Sequence, residues 1–351
     1  MHVSARRTLL VLVILLLAGS SIGLIAQEPV RSEVAAKRIT VDVVVDAKGS
    51  KPPATMAGLQ QQDFTVLDNK APRTLTSFRA VSAGQQPIRV VLLVDAVNVR
   101  AQGLAYERDQ ITGFLRAQGG HLAHPTAIAI LTDKGLQMQD VFSKDGNGIA
   151  DGLQKQEIGL RFITRGTGIY GAEDRLDISL NCLRSLASHE ATQPGRTVLL
   201  WVSPGWPLLS GPGIDLDSRA QTRIFNDIVS LSTQLRESRV TLYAIDPIGA
   251  NEGVGRTNYY EQYLKGIGKS SQVDLGDLSL QVLAVQSGGM ALNSNDTGAL
   301  LQRSVADLDN YYEISFDAAP AENRDTYHHL EVRVDKPGAV ARTRDGYYSE
   351  P

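Results

Sequence analysis

Ile88–Asp95, reading IRVVLLVD, is the stretch that decides how this chain folds. Six of its eight residues are apolar and four are β-branched. A run apolar at consecutive positions reads as a strand buried on both faces. It ends in an aspartate, where strand gives way to loop. After Tyr106 a helical pattern begins, with Ile111, Phe114 and Leu115 on one face. Thr197–Ser203 (TVLLWVS) and Val240–Asp246 (VTLYAID) repeat the strand pattern, each ending in a polar residue. Buried strands alternating with amphipathic helices predict a doubly wound, mostly parallel α/β sheet. Such sheets bind ligands at the carboxyl ends of their strands. The loops after Asp95, Ser203 and Asp246 are therefore where function is sought.

Reading outward, the predicted helices cover 106–117, 149–157, 169–187, 219–236, 277–286 and 298–309. The remaining strands of this part are predicted at 126–132, 137–142 and 290–292. Residues 247–275 form a long loop, which in a compact domain points to function or motion. Before this part the chain is all β: Ile39, Val41, Val43 and Val45 alternate along one strand, followed by 63–67 and 73–79. After it come strands 311–316, 329–334 and 340–348. Three strands at each end are too few to stand alone, so both ends are expected to build one small β domain. The predicted organisation is a signal peptide at 1–26, a linker at 27–37, β domain segments at 38–82 and 311–351, and the α/β domain at 87–310.

The 351-residue chain is 42% hydrophobic and 21% charged, which is globular composition and excludes a disordered chain. A net charge of −3 argues against nucleic acid as a partner. Arg6 and Arg7 precede an uncharged run to Ala26, the plan of a secretory signal. An uncleaved membrane anchor is the alternative, since the run is almost long enough to span. Export to the periplasm or medium is the expectation. Cys182, the single cysteine, excludes an internal disulfide and sits among leucines, as a buried, inert thiol would.

At this point the chain resembles a known family. The opening RITVDVVVDAKG…GLQQQDFTVLDNKAPRTLTSF and the closing segments LAVQSGGMALNSND…ADLDNYYEISFD and VARTRDGYYSEP are similar to von Willebrand factor A-related proteins common in acidobacteria. The resemblance covers roughly residues 38–349. It implies a von Willebrand factor A fold: a mostly parallel six-stranded sheet between helices, binding proteins and often holding a metal at its top. The metal-binding version of the family uses Asp-x-Ser-x-Ser, a threonine and a second aspartate. Here Asp95 stands with Val97 and Val99 at the serine positions, Thr167 lies in the second loop, and Pro204 occupies the place of the second aspartate. Magnesium requires an octahedron of hard oxygens, which one carboxylate and one hydroxyl do not supply. No tightly held metal and no cofactor are expected, and Asp95 is read as an acceptor for loop N–H groups.

Other chemistry is weaker. His121 and His124 lie in a loop-like segment, with no third ligand near. Adjacent His328 and His329, at a strand start, face opposite ways. Gly249–Gly255 lacks the lysine of a phosphate loop, and no nucleophile elbow occurs. The loop 203–213 (SPGWPLLSGPG) has two readings: Trp206 as an exposed, proline-stiffened anchor, or its apolar residues folded back over the sheet. Tyr259, Tyr260 and Tyr263 either join a contact surface or pack locally. The expectation is a non-enzymatic, exported module contacting a protein or cell-envelope partner through Asp95, Asn98, Thr167, Ser203 and Trp206. A structural role in an envelope assembly, docking through the β domain, and an unrecognised hydrolase are the alternatives.

Overall fold

The computed structural model describes residues 37–49, 55–82, 84, 86–99, 101–156, 169–206, 216–247, 259–306, 308, 310–318 and 323–349. The expected signal segment 1–26 lies outside them, as do Thr167, Leu208, Leu209 and Gly249–Gly255. Among the described residues no helix is long and apolar enough to cross a membrane.

The opening strands are β1 (Arg38–Ala47), β2 (Phe64–Asp68), β3 (Ala71–Arg73) and β4 (Leu75–Ser82). The α/β part runs β5 (Ile88–Asp95), α1 (Ala101–Arg116), β6 (His121–Thr132), β7 (Gly135–Met138), β8 (Ser143–Asp145) and α2 (Gly146–Lys155). It continues through α3 (Ile169–Glu190), β9 (Arg196–Val202), α4 (Ser218–Glu237), β10 (Val240–Asp246), α5 (Leu280–Gln286), β11 (Ala291–Asn293) and α6 (Thr297–Ala306). The tail adds β12 (Asn310–Asp317), β13 (Tyr327–Val334), β14 (Ala339–Arg342) and β15 (Gly346–Tyr348).

The central sheet has seven strands rather than the expected six. Its order is β11-β10-β9-β5-β6-β7, with β8 also paired to β6. β5, β6, β9, β10 and β11 run parallel, and β7 and β8 return antiparallel. Successive side chains of a strand point to opposite faces, and the two cores divide accordingly. Val91, Leu93, Leu199, Trp201, Leu242 and Ala244 pack against α3, α4 and α5. Val90, Leu92, Val94, Val198, Leu200 and Ile245 pack against α1, α2 and α6. The consecutive apolar run of β5 is thus explained: each face of the sheet is covered by helices. His121 and His124, read as loop, belong to the long strand β6, which places His121 exposed and His124 buried. That strand extends because β8 pairs with it at His121 and Thr126.

The β strands outside this unit form two four-stranded antiparallel sheets, ordered β14-β1-β12-β4 and β15-β13-β2-β3. They face each other across Ile39, Val41, Val43, Val45, Phe64, Val66, Ile314, Phe316, Leu330 and Tyr347. β1 pairs with β12 over Arg38–Val43 and with β14 over Val44–Ala47. Its other face is also used: Val44 joins the core of the α/β unit, and Tyr311 does the same from β12. Strand β1 therefore belongs to the sandwich and to its joint with the α/β unit at once.

Candidate functional site

Strand order reverses between β5 and β9, because β6 lies on one side of β5 and β9 on the other. That switch point opens a crevice at the carboxyl ends, where ligands bind in open α/β sheets. The sequence-predicted residues Asp95, Asn98, Ser203 and Trp206 are placed there by strands β5 and β9.

Asp95 is fully buried. Its Oδ1 accepts from the backbone N–H groups of Val97 and Asn98, both at 2.9 Å. Its Oδ2 accepts from Asn98 Nδ2 at 2.8 Å and from Trp201 Nε1 at 3.0 Å. A carboxylate has about four acceptor positions, so these four donors saturate it. Asn98 also donates from Nδ2 to the Ser179 hydroxyl of α3 at 3.0 Å, which ties the loop to the helix. Val97 packs partly into one core and Val99 into the other. The residues at the hydroxyl positions therefore serve packing, and a cation at Asp95 would have to displace Trp201 or Asn98. The donor set does not fit a magnesium-type site.

Ser203, fully buried, accepts from the Gly205 N–H at 3.2 Å, and among the described residues no histidine ring or carboxylate bonds its hydroxyl. Gly205 has φ +106°, and a Cβ there would meet Gln281 Nε2 at 2.7 Å. Glycine thus lets the chain turn under Gln281, whose Nε2 donates to Pro204 O at 3.2 Å. The turn drives Trp206 inward. Trp206 is 4% exposed and meets the Trp201 ring edge-on at 5.4 Å. The anchor reading is corrected: the Trp201 ring and the surrounding leucines take this side chain into the core, as the folded-back alternative describes. Tyr259 donates to Gln281 Oε1 at 3.0 Å and meets the Tyr260 ring at 6.2 Å, so these tyrosines pack locally.

Two residues of this edge escaped the sequence reading. Trp201 holds Asp95, and its signal was an indole N–H inside a buried strand, a donor that requires a partner. Glu107 on α1 is fully buried, and among the described residues neither carboxyl oxygen has a hydrogen-bond partner. Burial, then the negative charges of Asp95 and Asp246, push its carboxyl up to about 9, so it is neutral at pH 7. Its signal was position: Leu104, Glu107, Ile111 and Leu115 form one helical stripe, and three of the four are core leucines or isoleucine. Cys182 is buried as expected, and burial followed by Asp95 raises its thiol far above the ordinary range.

No family model and no curated protein matches the chain. Among solved structures it is similar to proximal thread matrix protein 1 from the mussel byssus, at 13% identity over 66% of this chain and 48% of that one, with a TM-score of 0.33. It is similar to the pilus adhesin SpaC from Lactobacillus rhamnosus GG at 8% identity, over 85% of this chain and 49% of that one, with a TM-score of 0.34. The manganese-loaded TRAP protein of Plasmodium vivax matches at 10% identity, over 77% of this chain and 98% of that one, with a TM-score of 0.32. The chain thus spans about half the length of the mussel protein and of the pilus adhesin. Likenesses of this size fix neither family nor function.

Proposed function

We propose that this chain is an exported, non-enzymatic interaction module of the von Willebrand factor A kind. It contacts a protein or cell-envelope partner through the loops above the switch point, without a tightly held metal. The observation that carries this reading is the saturated Asp95: the loop ends are locked by internal donors, so the edge offers a fixed surface rather than reactive groups. Ser203, with no base bonded to its hydroxyl among the described residues, and Cys182, with a raised thiol, support the non-enzymatic part. With Trp206 in the core, the aromatic contact at this edge passes to Tyr106, 42% exposed and held by its hydroxyl on Asn295 O at 2.6 Å. The test is recovery of partners from envelope extracts by the whole chain and by its Tyr106→Ala form. Loss of at least tenfold in affinity for an identified partner at unchanged melting temperature is expected. Equal affinity removes the top edge from the interface.

A second reading has its own observation. Strand β14 is an edge of its sheet, and its Val340 is 48% exposed. An apolar edge strand invites pairing with another chain, which suits docking into an assembly through the β sandwich. Partner recovery that survives Tyr106→Ala but fails in Val340→Lys favours this second reading.

A further inference from the structure

At the opposite end of the central sheet, β1 crosses the amino ends of β9 and β10 and leaves a cavity of about 230 Å³. Five arginines line it: Arg38, Arg196, Arg236, Arg239 and Arg344. The carboxylates on its wall are Asp42 and Glu237. Asp42 is shared by Arg196 at 3.1 Å and Arg239 at 3.7 Å. Glu237 is shared by Lys37 at 3.1 Å and Arg236 at 3.6 Å. Beyond the wall, Arg239 also reaches Glu313 and Arg38 reaches Asp317 at 3.5 Å.

Arg344 is different. It is 8% exposed and has no hydrogen-bond or ion-pair partner among the described residues. Arg196 Nη1 is likewise buried with no hydrogen-bond partner, its guanidinium lying over the Tyr311 ring at 4.7 Å. The nearest negative charge, Asp42, is already paired with Arg196 and Arg239, so the desolvation of the Arg344 cation is only partly compensated. Burial and the charge of Arg236 push the Arg344 guanidinium down to about 10, so it stays charged at neutral pH. The wall carries five positive and two negative side chains, an excess that a dianion neutralises better than a monoanion. Guanidinium forks match the paired oxygens of phosphoryl and carboxylate groups. The volume is below that of ordinary drug-sized sites of about 300–1,000 Å³, which favours a small ligand or one headgroup.

We infer that the cavity under β1 is an anion site for a phosphomonoester group, with Arg344 as its central ligand. It lies away from the top edge and does not depend on the function proposed for that edge. The test is titration of the whole chain with inorganic phosphate and with phenyl phosphate by calorimetry, against sodium chloride at equal ionic strength. Saturable binding is expected, weakened at least tenfold in Arg344→Gln and about threefold in Arg38→Gln, whose side chain is 63% exposed and outside the core. Because Arg344→Gln removes a buried charge that has no ion-pair partner among the described residues, it should melt no lower than the parent in phosphate-free buffer, which separates lost binding from lost folding. Cosedimentation with vesicles containing phosphatidic acid, lost in Arg344→Gln, would assign the same chemistry to a lipid source. Phosphate acting no more strongly than chloride, or equally on the parent and both variants, overturns the site. Tighter binding of malonate than of phosphate overturns the phosphoryl assignment.

Discussion

Asp95 and Arg344 are both buried charged residues at opposite ends of one sheet, and their surroundings differ in kind. Asp95 has four donors on its two oxygens, all from this chain. Arg344 faces a cavity lined by four more arginines and makes no ion pair among the described residues. The acid at the motif position is complete without a ligand, whereas the arginine in the closing segment has no ion-pair partner among the described residues. Motif position points to the top edge alone; counting donors and acceptors around each buried charge brings out the other end as well.

Removing the acid is the strongest way to break this contrast. Asp95→Ala leaves the Trp201 indole, the Asn98 amide and two backbone N–H groups without their acceptor, and should cost about 4 kcal/mol in denaturant unfolding. A loss below about 1 kcal/mol would mean that the four bonds do not hold the edge. Trp206→Ala comes next, at about 3 kcal/mol, the cost of truncating a buried aromatic; unchanged stability would return this residue to the surface.

Glu107 sharpens the comparison, since it is a buried acid at the same edge with no donor among the described residues. Its carboxyl is raised from 4.5 to about 9 in the folded state, so the fold binds a proton there that the unfolded chain releases. The stabilising effect of that proton is complete below about pH 4.5 and is lost as pH rises toward 9. Glu107→Gln should therefore match the parent near pH 5 and exceed it by about 2 kcal/mol at pH 6.5. Parallel melting curves across that range would mean that Glu107 titrates like an exposed acid. The smallest expected effect is that of magnesium: 10 mM should leave the melting temperature unchanged. A site with a dissociation constant a hundredfold lower would add about 2.7 kcal/mol, and a rise of that size, absent in Asp95→Ala, would reopen Asp95 to metal.

How much of this was legible in the sequence varied with how local the signal was. β5 and β10 begin and end where their apolar runs do, because a strand covered on both faces needs apolar residues throughout and a polar one where it leaves the core. The bland role of Asp95 was legible because valines replace its hydroxyl neighbours. Trp206 was not decided: prolines around a tryptophan suit an exposed anchor and a folded-back turn equally, and only the Trp201 ring beneath it selects the second. The β strands were read one by one, but their division into two facing sheets depends on β13 pairing with β2 and β12 with β1 and β4. The arginine cavity was invisible for the same reason. Its wall comes from β1, the start of β9, the end of α4 and the turn after β14, which share no spacing.

The pairing of Ile39 with Phe316 has a consequence for how the chain is made. β1 is the first described strand to be synthesised, yet β12 and β14, its neighbours in the sheet, are among the last. At about 5–20 residues per second, the ribosome needs tens of seconds to supply them. For that interval an alternating valine strand has only the Thr55–Met56 segment beside its carboxyl end, while β5, β6 and their helices can already assemble. Contacts this distant in sequence also slow the search for the native state. The sandwich should therefore close late, and refolding should show the α/β unit protected from hydrogen exchange before β1.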